Sequence, residues 1–266
     1  MITSSQNKVI KEVKTLSKKR DRSKKGLFVA EGLRFVQSAL EVGADIDFIL
    51  YSESIFRTDE GLSFVKHLEA EGQYKILEVE EKIMSELSDT QSPQGILAVV
   101  KQPKWEWKNV IKENGFVLIL DRLQDPGNLG TIIRTADAAG VDGIVTLKGS
   151  VDVFNPKVLR STMGSIFELP ILEGLEWDLV ESELKEQGYT VLGTALEDDS
   201  VEYNTLNYNK STAMIIGNEA NGIESDILSA VDHKIIIPIV GSAESLNAGV
   251  AAAVVMYEVL RQRRRN

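Results

Sequence analysis

The chain has 266 residues, 43% of them apolar, which is enough for one large or two ordinary domains with a proper core. It contains no cysteine, so disulfides, thiolate zinc sites and a cysteine nucleophile are excluded. The net charge of -10 argues against a nucleic-acid partner until its distribution is considered: residues 1–25 hold nine basic side chains against two acids, a local charge of +7, so the other 241 residues carry -17.

Val9, Ile10, Val13 and Leu16 fall at helical spacing within residues 6–17, with most lysines on the opposite face, which predicts a basic amphipathic helix. Residues 18–25 are polar and charged and read as a mobile loop. Together Lys8, Lys11, Lys18, Lys19, Arg20 and Arg22 can form an electrostatic footprint for the phosphates of a nucleic acid, although a solvated helix face has the same pattern. Strands are predicted at 27–30, 46–51, 75–79 and 96–100, and helices at 31–40, 60–71 and 80–87. This alternation predicts a small α/β domain over residues 1–101.

Residues 102–113 read as a linker, whose Trp105 and Trp107 are expected to pack across a domain junction rather than stack on a base. A second α/β alternation then fills 114–266, with continuous apolar runs at 116–120, 143–147, 190–194, 213–216 and 234–237. Such runs suit parallel strands covered on both faces. The final helix, from Ala248 through Tyr257, is apolar all round and must be covered on all sides, which suggests a subunit interface. A further basic cluster, Arg261, Arg263, Arg264 and Arg265, follows it. The opening residues lack an apolar signal core and no run approaches the roughly 20 apolar residues of a membrane helix, so a soluble, cytoplasmic protein without a metal site is expected.

Three stretches of the second domain each follow a predicted strand and run into a helical segment, so they read as loops at the carboxyl edge of one sheet, where ligands bind in α/β folds. In the first, around Asp125-Pro126-Gly127-Asn128, Arg134 lies two residues, about 200°, from the packed Ile132. Arg134 is either a surface arginine paired with Asp137 or Asp121, or a cation aimed into the crevice. The second, Gly217-Asn218-Glu219-Ala220-Asn221-Gly222, lacks the Lys-Ser/Thr of a phosphate-binding loop, and Glu219 is either a helix cap or an acceptor for a neighbouring loop or ligand. The third runs from Ile237-Pro238 through Gly241 to Ser245-Leu246-Asn247, which opens the last helix.

Together the three loops resemble the signature motifs of the SpoU (TrmH-like) RNA ribose 2′-O-methyltransferases of the SPOUT superfamily. Asn128, Gly130 and Arg134 match the first motif; Gly217, Glu219 and Gly222 the second; Ile237, Pro238, Gly241, Ser245, Leu246 and Asn247 the third. The chain departs from the family after Asn247, where Gly249 stands in place of a usual serine. The resemblance implies a parallel α/β sheet with a C-terminal trefoil knot, S-adenosylmethionine bound in the knot, and a homodimer formed through the C-terminal domain. Residues 1–100 resemble the ribosomal-protein-like RNA-binding domain often fused to this family.

Carried over, the resemblance makes Arg134 the catalytic residue, positioned with the ribose by Asn128, Glu219 and Ser245. It places the cofactor on Thr194, Gly217, Ile237, Leu246 and Asn247. A guanidinium stays protonated in proteins, which favours a clamp over a general base. The implied activity is methylation of a ribose 2′-hydroxyl, with large-subunit ribosomal RNA favoured as substrate. The alternatives are a transfer-RNA 2′-O-methyltransferase and a non-catalytic RNA-binding assembly factor of the same fold.

Overall fold

A computed structural model describes residues 1–264; Arg265 of the C-terminal basic cluster lies outside them. The chain forms two compact units: residues 1–104 with 154–167, and 105–153 with everything from 168 onward. The first unit begins with α1 (Lys8–Thr15), capped by Asn7, whose side chain accepts from the Val9 amide. Ile10, Val13 and Leu16 are buried against the central strands, as the spacing predicts.

Residues 18–25 are not a loop. They form α2 (Lys19–Lys25), closed by Gly26 in the left-handed region at φ 64°. No apolar residue anchors this helix; Arg22 does. It is 4% exposed, and its guanidinium donates to the carbonyls of Leu16 (2.8 Å) and Ser17 (2.9 Å), which satisfies acceptors at the end of α1 and places a cation at that helix's negative pole. Replacing Arg22 with Ala is expected to cost about 2 kcal/mol, the worth of charged hydrogen bonds whose partners stay buried, read as a lower urea midpoint. Arg22→Lys restores little, because a lysine lacks the planar fork.

After α2 come β1 (Leu27–Glu31), α3 (Leu33–Glu41), β2 (Ile46–Tyr51), a 3-10 turn, α4 (Asp59–Glu71), β3 (Ile76–Glu78), α5 (Glu81–Leu87) and β4 (Ile96–Lys101). The sheet order is β1-β4-β2-β3, with β4 antiparallel to both neighbours and β2 parallel to β3. β4 is central and buried at its first five positions, which is why it reads as an unbroken apolar run.

The second unit starts at Trp105, within the stretch predicted as a linker. Both tryptophans pack against this unit's core, and Trp107 opens the short α6 (Trp107–Val110). β5 (Phe116–Leu120), α7 (Pro126–Ala139) and β6 (Gly143–Leu147) follow. α7 has a strong start and stop: Asp125 accepts from the Asn128 amide, Pro126 takes the first turn, and Gly140 ends the helix at φ 70°. The chain then leaves this unit for residues 154–167, which the sequence places in the second domain. They carry α8 (Pro156–Thr162), and Phe154 and Phe167 stack on Phe28 with ring centroids 5.0 and 5.9 Å away, completing the first unit's core.

Returning, the chain adds β7 (Ile171–Leu175), α9 (Trp177–Glu186), β8 (Thr190–Thr194), β9 (Val201–Glu202), β10 (Thr212–Ile216), α10 (Ser225–Ser229), β11 (His233–Ile236) and α11 (Ala248–Arg263). All seven strands pair in parallel in the order β7-β6-β5-β10-β8-β11-β9. β7 and β9 carry no clear sequence signal; β9 is two exposed residues. The order puts the carboxyl ends of β5, β10, β8 and β11 side by side, so the three motif loops converge. α11 packs along α7; a Cβ on Gly249 would meet Asn247 Oδ1 at 3.2 Å and stand in ordinary contact with Thr131 Cγ2 at 3.4 Å. One side of α11 remains uncovered in the chain, with Val250 49% and Tyr257 51% exposed. No helix among the described residues is long and apolar enough to cross a membrane.

Candidate functional site

The three loops enclose a cavity of about 770 Å³ over the ends of β8, β10 and β11, within the usual size of a small-molecule site. Asn128, Thr194, Gly217, Glu219, Ile237, Ser245, Leu246 and Asn247 all line it. Arg134 does not. It is exposed on α7, and neither Asp121 nor Asp137 pairs with it; Asp121 is held by Arg122 instead.

Glu219 is an acceptor for the neighbouring loop and not a helix cap; α10 is capped at Glu224. Its two oxygens accept from the Gln124 amide (3.2 Å), the Asp125 amide (3.1 Å) and Asn128 Nδ2 (3.1 Å). Asn128 Oδ1 in turn accepts from Asn247 Nδ2 at 2.8 Å, and Asn247 Oδ1 accepts from the amides of Gly249 (2.9 Å) and Val250 (3.3 Å). One carboxylate and two amides therefore link the three motif loops and seat the start of α11. Each amide must donate on one side and accept on the other, so the Glu219 charge fixes the direction of the whole chain.

Burial pushes the Glu219 pKa up, but the hydrogen bonds from Asn128 and the loop amides outweigh it and hold the carboxyl below the ordinary glutamate range. A folded-state value below the unfolded one stabilises the protein above the ordinary glutamate pKa of about 4.3, and that contribution is lost as pH falls through the depressed value. Glu219→Gln is expected to lower Tm at neutral pH and to flatten the acid limb of Tm against pH below about 4.3, measured by calorimetry. An acid limb unchanged in the variant would assign it to another carboxylate.

The second loop is built to be rigid. The Asn218 amide donates to the Gly222 carbonyl (3.0 Å) and the Gly222 amide donates to the Asn218 carbonyl (2.9 Å), with Gly222 at φ 68°. Asn218 Oδ1 also accepts from Ala220 and Asn221. Thr194 presents its hydroxyl to the Ile215 carbonyl (3.2 Å), fixing β8 against β10 below the cavity. The walls include Ile216, Ile223, Leu228 and Ile235, with Glu197, Glu219 and Glu244 among the lining residues. An apolar slot with carboxylates suits a flat heteroaromatic ring carrying cationic groups.

Elsewhere, Lys8, Lys11, Lys18, Lys19 and Arg20 are exposed on or beside α1 and α2. Arg22 does not belong with them: it is buried and its guanidinium is committed to α1 carbonyls, so it is no RNA contact.

Comparison with known proteins gives a consistent picture. The profile of the SpoU rRNA Methylase family matches residues 115–257, and that of the MRM3-like substrate binding domain matches residues 7–98. The 23S rRNA (guanosine(2553)-2′-O)-methyltransferase RlmP of Bacillus subtilis strain 168 is 37% identical over 97% of this chain and 98% of its own. A 23S rRNA (uridine(2479)-2′-O)-methyltransferase of Streptomyces viridochromogenes is 30% identical over 93% of this chain and 87% of its own. Among solved structures, an AdoMet-bound rRNA methyltransferase from Sinorhizobium meliloti superposes with a TM-score of 0.86 at 32% identity, covering 98% of this chain and 97% of that one.

Proposed function

This chain belongs to the SpoU rRNA methylase family, and on that premise we infer that it transfers a methyl group from S-adenosylmethionine to a ribose 2′-hydroxyl of 23S ribosomal RNA. The observation that carries the reading is the convergence of eight motif residues on one cavity, tied together by the Glu219-Asn128-Asn247 chain. S-adenosylmethionine, when bound, supplies a methyl group already activated by its sulfonium. The cavity fits it: apolar walls for the adenine, the backbone around Gly217, Ile237 and Leu246 for polar groups, and carboxylates for the cationic end.

The protein's task is then to bring the hydroxyl oxygen in line with the methyl carbon and to favour the negative charge that develops as its proton departs. Arg134 is the cation for that charge or for the adjoining phosphate, since a guanidinium does not serve as a base at neutral pH. Asn128, Glu219, Ser245 and Asn247 order the loops around the ribose.

The uncovered side of α11, with Val250 and Tyr257 half-exposed, supports a homodimer through the C-terminal domain. Pairing there would cover α11 completely, as its all-round apolar sequence demands. Lys8, Lys11, Lys18, Lys19 and Arg20 supply phosphate contacts for the RNA, which position it without reading its sequence. A cytoplasmic location accords with an rRNA target.

The reading is tested by incubating the protein with labelled S-adenosylmethionine and rRNA from a strain lacking its gene, then mapping resistance to alkaline cleavage. A new resistant position in 23S rRNA is expected, and the position equivalent to guanosine 2553 is the first to probe, given the Bacillus subtilis relative. Measurable cofactor binding with no label in any RNA would instead identify a binding factor.

A further inference from the structure

Arg122 stands just beyond β5 and belongs to none of the three motifs. Its backbone is left-handed at φ 50°, a region that a side chain of this size occupies only where the surroundings compel it. Three sets of contacts do so. Its carbonyl accepts from Asn218 Nδ2 (2.8 Å) and Gln124 Nε2 (3.1 Å). Its stem lies flat on Gly149, where an added Cβ would come within 3.2 Å of Arg122 Cγ. Its guanidinium is forked onto Asp121, with Nε donating to Oδ1 at 2.9 Å and Nη2 to Oδ2 at 3.0 Å. Asp121 is 1% exposed, and its Oδ2 also accepts from the Glu224 amide at 2.8 Å.

The fork uses one edge of the guanidinium, the edge that also has the Glu224 carboxylate 3.7 Å from Nε. The side chain is 32% exposed, and Nη1 makes no hydrogen bond to the described residues. A cation pre-oriented in this way has a second edge free for two parallel hydrogen bonds, the geometry that phosphate oxygens accept. Its place matters as well. The cavity covers the ends of β8, β10 and β11, whereas Arg122 and Gly149 follow β5 and β6 on the other side of β10. Gln124 and Asp125, two and three residues further on, are the amides bonded to Glu219 at the cavity wall.

Resting on the methyltransferase reading, we propose that Arg122 holds a backbone phosphate of the RNA beside the reacting ribose, approaching from the β5–β6 side of the crevice opposite the cofactor cavity. Neutralising Asp121 alone would not require the left-handed turn that turns the guanidinium back over its neighbour while leaving an outer edge open.

The test uses the full-length protein with Arg122→Gly and the double variant Asp121→Asn/Arg122→Gly. Glycine adopts φ 50° freely, so the backbone is relieved, and the double variant avoids leaving the buried Asp121 carboxylate without its cation. Cofactor affinity, measured calorimetrically, is expected within about twofold of wild type. Affinity for a 23S rRNA fragment is expected to fall roughly tenfold, with the slope of log affinity against log salt reduced by about one, the loss of a single phosphate contact. Arg122→Lys should keep the salt slope with reduced affinity. Unchanged RNA affinity and slope in a folded variant would overturn the proposal, leaving Arg122 as a counter-ion only. Loss of cofactor binding in both glycine variants would overturn it too, by making the residue a strut for the second loop. RNA binding is read separately from methylation, so a wild-type protein that binds RNA but transfers no methyl group defeats the enzymatic reading alone.

Discussion

Replacing Arg134 with Ala is expected to slow single-turnover methyl transfer about 100- to 1000-fold, the range seen when one donor to a developing oxyanion is removed. Tm and cofactor affinity should barely move. Arg134 is exposed on α7, does not line the cavity and makes no side-chain hydrogen bond or ion pair to the described residues. That separation makes the experiment decisive. A side chain with no structural partner that nevertheless controls the chemical step must act on the substrate, and it must reach the ribose when RNA or a second copy of the chain is in place. Arg134→Lys should recover only part of the rate, because an ammonium offers a point charge where the guanidinium offers a planar pair of donors. Single-turnover methylation with saturating RNA is the measurement. An unchanged rate in the alanine variant, with RNA bound, would remove Arg134 from the catalytic machinery.

The same residue shows how far the sequence carries the site. Spacing alone leaves Arg134 between a surface ion pair and a cation in the crevice, and the structure removes the named ion pairs: Asp121 belongs to Arg122, and Asp137 makes no bridge to Arg134. The loops themselves are legible because their chemistry is local. A helix that starts Asp-Pro-Gly-Asn and ends in glycine, and a strand that stops at Gly-Asn, fix their own boundaries through caps and turns. What stays hidden depends on distant partners or on backbone angles. Arg22 reads as one more lysine-rich loop position because its acceptors are carbonyls, which leave no mark in a sequence. Residues 154–167 read as part of the second domain because their partner, Phe28, stands more than a hundred residues earlier. The left-handed turn at Arg122 has no glycine or asparagine to announce it. The uncovered stripe on α11 is legible only in reverse: the sequence demands a covering that the single chain does not provide.

Replacing Gly217 with Ala should raise the Kd for S-adenosylmethionine about 100-fold or more while leaving most of the fold intact. A Cβ on Gly217 would stand 2.3 Å from the Gly222 carbonyl carbon, 2.4 Å from the Ile223 nitrogen and 2.8 Å from the Gly222 oxygen. All three are backbone atoms, so no rotamer change relieves the clash, and the 218–222 loop must open. Opening breaks the paired Asn218–Gly222 hydrogen bonds and withdraws Glu219 from the 124–128 loop. The overlap raises the closed loop above an open one that forgoes these five hydrogen bonds; a closed form disfavoured by about 3 kcal/mol is a roughly 100-fold fall in the binding-competent fraction and an equal rise in apparent Kd. β10 ends at Ile216 with its strand pairing untouched, so the sheet survives, and Tm should drop by roughly 10 °C, at about 2–4 °C for each kcal/mol lost. Gly241→Ala is the matched control: it lies in the third motif, has no atom within 4 Å of an added Cβ, and should bind the cofactor as wild type does. Isothermal titration of both variants separates the explanations. Weak binding in Gly217→Ala alone places the cofactor against the second loop. Wild-type affinity in that variant would mean that the 217–222 loop is not a wall of the cofactor site, and the assignment of the cavity would fall with it.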